Sequence, residues 1–171
     1  MTPPAHAFMK KSGIRLPMAP ADQKKMLLFA IGNSARGDDG LGWAFAAYLE
    51  NKITFPGEIL LRYRLQIEDA ELCARYPCIL FVDAWKSDGE NSADLQPCLP
   101  VPDASFTTHA VTPQGILQLC LDLYDAKPKA WLLLLKGSSW GLGEKLSRSG
   151  QKSLKDGLAL FEQHLAQNSF F

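Results

Sequence analysis

Three stretches of the chain are apolar almost without a break: MLLFAIG at 26–32, CILFVDAW at 78–85 and WLLLLKG at 131–137. Runs of this length, bounded by turn residues or charges, predict strands buried on both faces of a sheet. EILLRYRLQ at 58–66 follows a Pro56-Gly57 turn and partly alternates, with Ile59, Leu61, Tyr63 and Leu65 on one face, which predicts a further strand.

Helical patterns fall between these runs. Apolar residues crowd Leu41 to Leu49, directly after a turn rich in glycine and aspartate. A short helix is predicted over 67–76, with acids early, where a helix N-terminus favours them. Thr112 and Pro113 supply an N-cap and a first-turn proline for a helix through Ile116, Leu117, Cys120, Leu121 and Tyr124. Near the end, Leu154, Leu158, Phe161 and Leu165 form one stripe of an amphipathic helix. Strands and helices alternate, so the expected class is α/β: a mostly parallel sheet of four or five strands with helices on both faces.

Composition narrows the function classes. The 171 residues suit a single domain, expected over 26–171 after a proline-containing flexible leader at 1–25. With 47% apolar and 21% charged residues, neither disorder nor a fibrous architecture is expected. Lys plus Arg and Asp plus Glu both number 18, which leaves no broad cationic field for nucleic acid. Cys73, Cys78, Cys98 and Cys120 form no C-x-x-C pair and read as reduced packing residues of a cytoplasmic protein. The leader lacks the apolar core of a signal peptide, and no window is long enough to span a bilayer, so no membrane partner is expected.

The candidate chemistry lies at the strand ends. In open α/β sheets, ligands bind beyond the carboxyl ends of the strands. Asp38 and Asp39 follow the first strand, Asp83 ends the ILFVD run, and His109 precedes the helix capped by Thr112. Carboxylates and an imidazole at one rim are a metal-site composition, better suited to zinc, nickel or iron than to magnesium or calcium. A carboxylate at a helix start can equally serve as a cap, worth about 0.3 to 1 kcal/mol, although one cap does not need two acids. Gly32, Gly37, Gly40 and Gly42 permit positive φ and close backbone approach. No G-x-G-x-x-G or phosphate-loop lysine is present, and no G-x-S-x-G elbow, which argues against nucleotide binding and serine catalysis. Trp43, Trp85 and Trp140 each follow one of these turns, the place of packing or rim residues, with a share in a peptide groove left open.

These segments resemble the hydrogenase maturation endopeptidases, which trim the C-terminus of the large subunit of nickel-iron hydrogenases. GNSARGDDGLG (32–42) is similar to the family's G-N-x-x-x-x-D-[DE]-x-x-G opening, ILFVDAW (79–85) to its strand ending in Asp-Ala, and THAVTPQGIL (108–117) to its histidine-before-helix segment. GSSWGLGEKLS (137–147) is compatible with its last segment but less specific.

The resemblance spans roughly residues 26–167 and implies a single three-layer α/β domain with a twisted, mostly parallel sheet. It implies a protein substrate, the large-subunit precursor, cut after a basic residue once nickel has been inserted. Asp39, Asp83 and His109 match the family's three metal-binding positions, the metal being nickel presented by the substrate, with no organic cofactor. Asp39 and Asp83 are the expected catalytic residues; Asp38, Gly40 and Gln66 are expected to touch substrate. LQIEDAE (65–71) lacks the glycine pair many members carry there, in a region associated with the choice of hydrogenase. A monomer is expected. The alternative from another class is a nickel-binding assembly factor that cuts nothing and uses the same three ligands.

Overall fold

The computed structural model describes residues 26–53, 55–102 and 111–171. The leader at 1–25 and the segment 103–110, which includes His109, lie outside the described residues. In chain order the elements are β1 (Met26–Ile31), a 3₁₀ turn (Gly37–Gly40), α1 (Leu41–Lys52), β2 (Gly57–Arg62), α2 (Asp69–Cys73), β3 (Cys78–Trp85), β4 (Ala93–Pro97), α3 (Pro113–Tyr124), β5 (Lys129–Lys136) and α4 (Arg148–Ala166).

The five strands form one sheet in the order β2-β1-β3-β5-β4. The β2-β1, β1-β3 and β3-β5 pairs are parallel, and β4 runs antiparallel to β5 at the edge. The chain leaves β1 toward β2 on one side and later crosses to β3 on the other. The order reverses between β1 and β3, so their carboxyl ends flank a topological switch point, where such sheets open a crevice.

Alternation along the buried strands sorts the core into two layers. Met26, Leu28 and Ala30 of β1 and Leu80 and Val82 of β3 pack with α1 and α4, through Phe45, Leu49, Leu158 and Phe161. Leu27, Phe29 and Ile31 of β1 and Ile79 and Phe81 of β3 face the other way, onto α2 and α3, through Cys73, Ile116 and Cys120. The expected three-layer α/β architecture is present, and both faces of β1 and β3 are covered, as continuous apolar runs require.

Helix starts follow their side chains. Thr112 Oγ1 accepts a hydrogen bond from Gly115 N at 3.1 Å, with Pro113 opening α3. Ser147 Oγ accepts from Gly150 N at 2.9 Å and caps α4. All four cysteines are free and buried, and burial pushes the Cys78 thiol up to about 12 and that of Cys98 to about 11, which leaves these two as unreactive packing groups.

Three elements differ from expectation. The strand at 58–66 stops at Arg62, because Gln66 is drawn into a turn whose backbone N–H donates to Asp69 Oδ2 at 2.9 Å. The helix at 67–76 is confined to Asp69–Cys73. β4 has no counterpart in the sequence reading: ADLQP is short and partly exposed, with an acid and a proline, as an edge strand permits.

Phe161 joins the aromatic cluster under α1 and α4, with ring centroids 5.6 Å from Phe45 and 5.4 Å from Phe170. Phe161→Ala is expected to lower stability by about 3–5 kcal/mol. Urea unfolding checks this, through a lower midpoint at unchanged slope.

Candidate active site

The turn between β1 and α1 is built by close backbone approach. Gly32 has φ +133°, and a Cβ there would lie 1.9 Å from the carbonyl oxygen of Asp39, which accepts a hydrogen bond from Asn33 N at 3.0 Å. A Cβ on Gly42 would fall 2.3 Å from Ile31 O and 2.9 Å from Val82 O. The first turn of α1 therefore rests on the carboxyl ends of both β1 and β3, at the switch point. Gly37 has a positive φ, whereas Gly40 and Gly42 serve only close approach.

Asp38 and Asp39 have separate environments. Asp38 is fully buried, and its carboxylate accepts hydrogen bonds from Ser138 N (2.8 Å), Ser139 N (3.1 Å), Ser147 N (2.8 Å) and Ser147 Oγ (2.6 Å), with Ser138 Oγ at 3.4 Å. Burial by itself would raise its pKa, but the bonds from the Ser138 amide, the Ser147 hydroxyl and amide and the Ser139 amide outweigh it and hold the carboxyl below its ordinary value. A Cβ on Gly150 would sit 2.2 Å from Asp38 Oδ1, and one on Gly137 2.9 Å from Asp38 Cβ, so both glycines make room for this side chain. Backbone bonds complete the clamp: Asp38 N to Ser139 O at 2.8 Å, Gly37 N to Glu144 O at 3.2 Å and Gly143 N to Ala35 O at 2.8 Å.

Asp38 does not have the position of a substrate-binding residue. It is turned inward, where it ties the first turn to the loop between β5 and α4. It does not cap α1, whose N-cap is Gly40 and has no side-chain cap bond. The serine donors were not singled out from the sequence. Their signal was a Gly-Ser-Ser run leaving a buried strand at the same sheet edge as the first turn.

Asp39 remains partly exposed, and Asp83 is partly buried in β3, immediately after the last β1–β3 pair, Ala30–Val82. Asp83 Oδ1 accepts one bond, from its neighbour Ala84 N at 2.8 Å. Burial pushes the Asp83 pKa up to about 6; the bond from Ala84 opposes this, and the charge of Asp39 adds to it. The two acids that the strand ends predict are thus brought within electrostatic reach of each other. Among the described residues no group of three His, Cys, Asp or Glu side chains is placed to hold a metal; His109 lies outside them.

Gly40 is buried against Ser34, where a Cβ would come within 2.9 Å of its Cα, and it lines an open groove of about 480 Å³ beside the turn. Gln66 is exposed beyond β2, and its carbonyl accepts from Asp69 N at 3.0 Å. The buried Asp69 anchors this turn by accepting from Arg62 Nε at 3.1 Å and Nη2 at 3.0 Å. A larger apolar pocket of about 600 Å³, lined by Pro97, Lys129 and Trp131, lies at the amino end of β5, the opposite end of the sheet from the carboxylates.

No protein-family model and no curated protein sequence matches the chain. Solved structures do. A [NiFe] hydrogenase maturation protease HycI from Thermococcus kodakarensis KOD1 superposes with a TM-score of 0.63 at 21% identity, over 85% of this chain and 95% of that one. The hydrogenase maturating endopeptidase HybD from E. coli gives 0.63 at 17% identity, over 84% and 93%. A hydrogenase 2 maturation peptidase from Thaumarchaeota archaeon SCGC_AB-539-E09 gives 0.61 at 19% identity, over 84% and 99%. The chain has the α/β fold of the hydrogenase maturation proteases, over nearly the full length of each.

The Asp83 environment yields a stability prediction. A carboxyl whose pKa is raised by folding holds its proton more tightly folded than unfolded, so stability falls as pH rises from 3.8 toward about 6 and stays lower above that. At roughly 1.4 kcal/mol per pKa unit the deficit is on the order of 2–3 kcal/mol. Asp83→Asn is therefore expected to be more stable than wild type by about that amount near pH 8, with the difference gone by about pH 3.5. Urea midpoints at the two pH values check it; equal midpoints near pH 8 would contradict the raised pKa.

Proposed function

We propose that this chain is an endopeptidase that removes the C-terminal extension of a nickel-iron hydrogenase large-subunit precursor after nickel insertion. The observation that carries the reading is the acid pair at the switch point: Asp83, raised to about 6 by burial and by the charge of Asp39, lies in β3 just past its last pair with β1, beside the turn that holds Asp39. Perturbed acids in the crevice of such a sheet are functional-site candidates. The likeness to solved maturation proteases supplies the reaction class.

The donor set fits a substrate-borne cation. A carboxylate whose proton affinity is raised by burial and by a like-charged neighbour is relieved by a positive charge, and oxygen donors joined by an imidazole suit nickel. On this reading Asp39, Asp83 and His109 engage nickel already seated in the precursor, so recognition depends on correct metal loading. The nickel, as part of the substrate, supplies Lewis acidity toward the scissile carbonyl. Asp83 and Asp39 can each accept the proton of an attacking water, and a pKa near 6 suits a base that works close to neutrality. The same reading places the protein in the cytoplasm as a monomer, with no organic cofactor and no nucleic-acid partner.

Intact-mass spectrometry of a nickel-loaded precursor tests it. Wild type is expected to release a defined C-terminal peptide, and Asp39→Asn and Asp83→Asn to leave the precursor at full mass or slow its loss at least about 100-fold. Undiminished cleavage by both variants would sink the proposal. A precursor that keeps its full mass while nickel is bound or transferred would make the protein an assembly factor instead.

A further inference from the structure

The open groove beside the first turn has no role in the acid pair's chemistry, yet it begins at the same backbone. Gly37 and Gly40 form part of its wall, and from there it is bounded by Trp43, Ala44 and Ala47 of α1, Leu61 of β2 and Leu146 ahead of α4. The wall is preformed. Trp43 Nε1 donates to the carbonyl of Arg62 at 3.3 Å, and its ring lies 5.0 Å from that of Tyr63, so the indole is fixed across the end of β2. Leu61 and Tyr63 are 46% and 67% exposed and extend the apolar surface outward from the groove.

Charge limits what can sit there. The ionisable groups of the lining are Glu144 and Lys145. The Glu144 carboxylate is taken up within its own loop, by Ser139 Oγ and by Gly141 N at 3.2 Å. A single lysine in the lining makes no site for a phosphate or another anion, whereas the aliphatic and aromatic walls suit an uncharged, apolar side chain. Position limits it further. Trp43 follows Asp39 by four residues, from the 3₁₀ turn into the first turn of α1, roughly 6–8 Å at 1.5–2.0 Å per residue. An extended chain covers that distance in about two residues.

Resting on the endopeptidase reading, we infer that this groove is a substrate subsite that takes an apolar side chain about two residues from the bond to be cut, on an extended segment of the precursor. The occupant is a polypeptide passing from the acid pair across the first two turns of α1. Binding there adds a second, metal-independent contact to the recognition of the substrate.

Ala47 is exposed on α1, so Ala47→Glu and Ala47→Arg place a long charged side chain in the groove without disturbing the core. Both are expected to raise KM for precursor cleavage at least about tenfold with kcat within about twofold, the pattern of lost binding rather than lost chemistry. Unchanged KM in both, or a rise with one sign of charge only, would overturn the apolar subsite. The second readout is the indole N–H resonance of Trp43 in wild type, titrated with a synthetic peptide spanning the precursor's cleavage region. A saturable shift that either Ala47 variant abolishes supports the groove, and no shift overturns it. If wild type leaves the precursor whole while the peptide still moves Trp43, the endopeptidase reading falls and the groove stands.

Discussion

The buried carboxylate of Asp38 is the constraint on which the site depends. A charge taken out of water is costly unless it is fully hydrogen-bonded, and this one is met by three backbone amides and two hydroxyls from the loop between β5 and α4. That arrangement dictates sequence elsewhere. Gly150 is needed because a side chain there would occupy the carboxylate's space, Gly137 because one would meet the Asp38 Cβ and the Trp140 ring, and Ser147 both caps α4 and donates to Asp38. The first turn and the last loop, about 100 residues apart in the chain, are thereby locked to each other. The placement of Asp39 against the ends of β1 and β3 follows from that lock.

Asp38 and Asp83 thus do opposite work. Asp38 has more donors than its burial demands, so its charge is stable and structural. Asp83, across the crevice from Asp39, has one donor and a like-charged neighbour, so its charge is strained. Folding supports that strain because β1 and β3 are covered on both faces and packed through two independent cores. On the endopeptidase reading, that cost to the fold is retained for the chemistry of the acid pair.

How much of this was legible in the sequence depended on which groups carry the information. β1 and β3 were readable because burial on both faces forces an unbroken apolar run, and Asp83 stood out because an acid ends one. Asp39 and Asp38 were readable as a pair, but not in their division of labour, since neither shows which loop will surround it. The donors to Asp38 are mainly backbone amides, which leave no mark beyond the residues that carry them. β4 was hidden because an edge strand needs neither alternation nor high apolar content, and the early end of β2 was hidden because Asp69 acts on Gln66 through the backbone. His109 was readable as a ligand type, and its position lies outside the described residues.

On the endopeptidase reading, the acid pair and the neighbouring groove solve a selectivity problem together. An acid pair by itself would accept any accessible divalent cation, since oxygen donors discriminate weakly among such ions. An apolar groove by itself would accept many extended peptides. Placing the groove one to two helical turns from Asp39 makes the two contacts additive only for a chain that carries its metal at a fixed distance from an apolar residue. Free metal satisfies the first contact and an unloaded precursor the second, and neither gains both. The rigid first turn, pinned by Asp38, sets that distance, so the buried aspartate that touches no substrate determines which substrate fits.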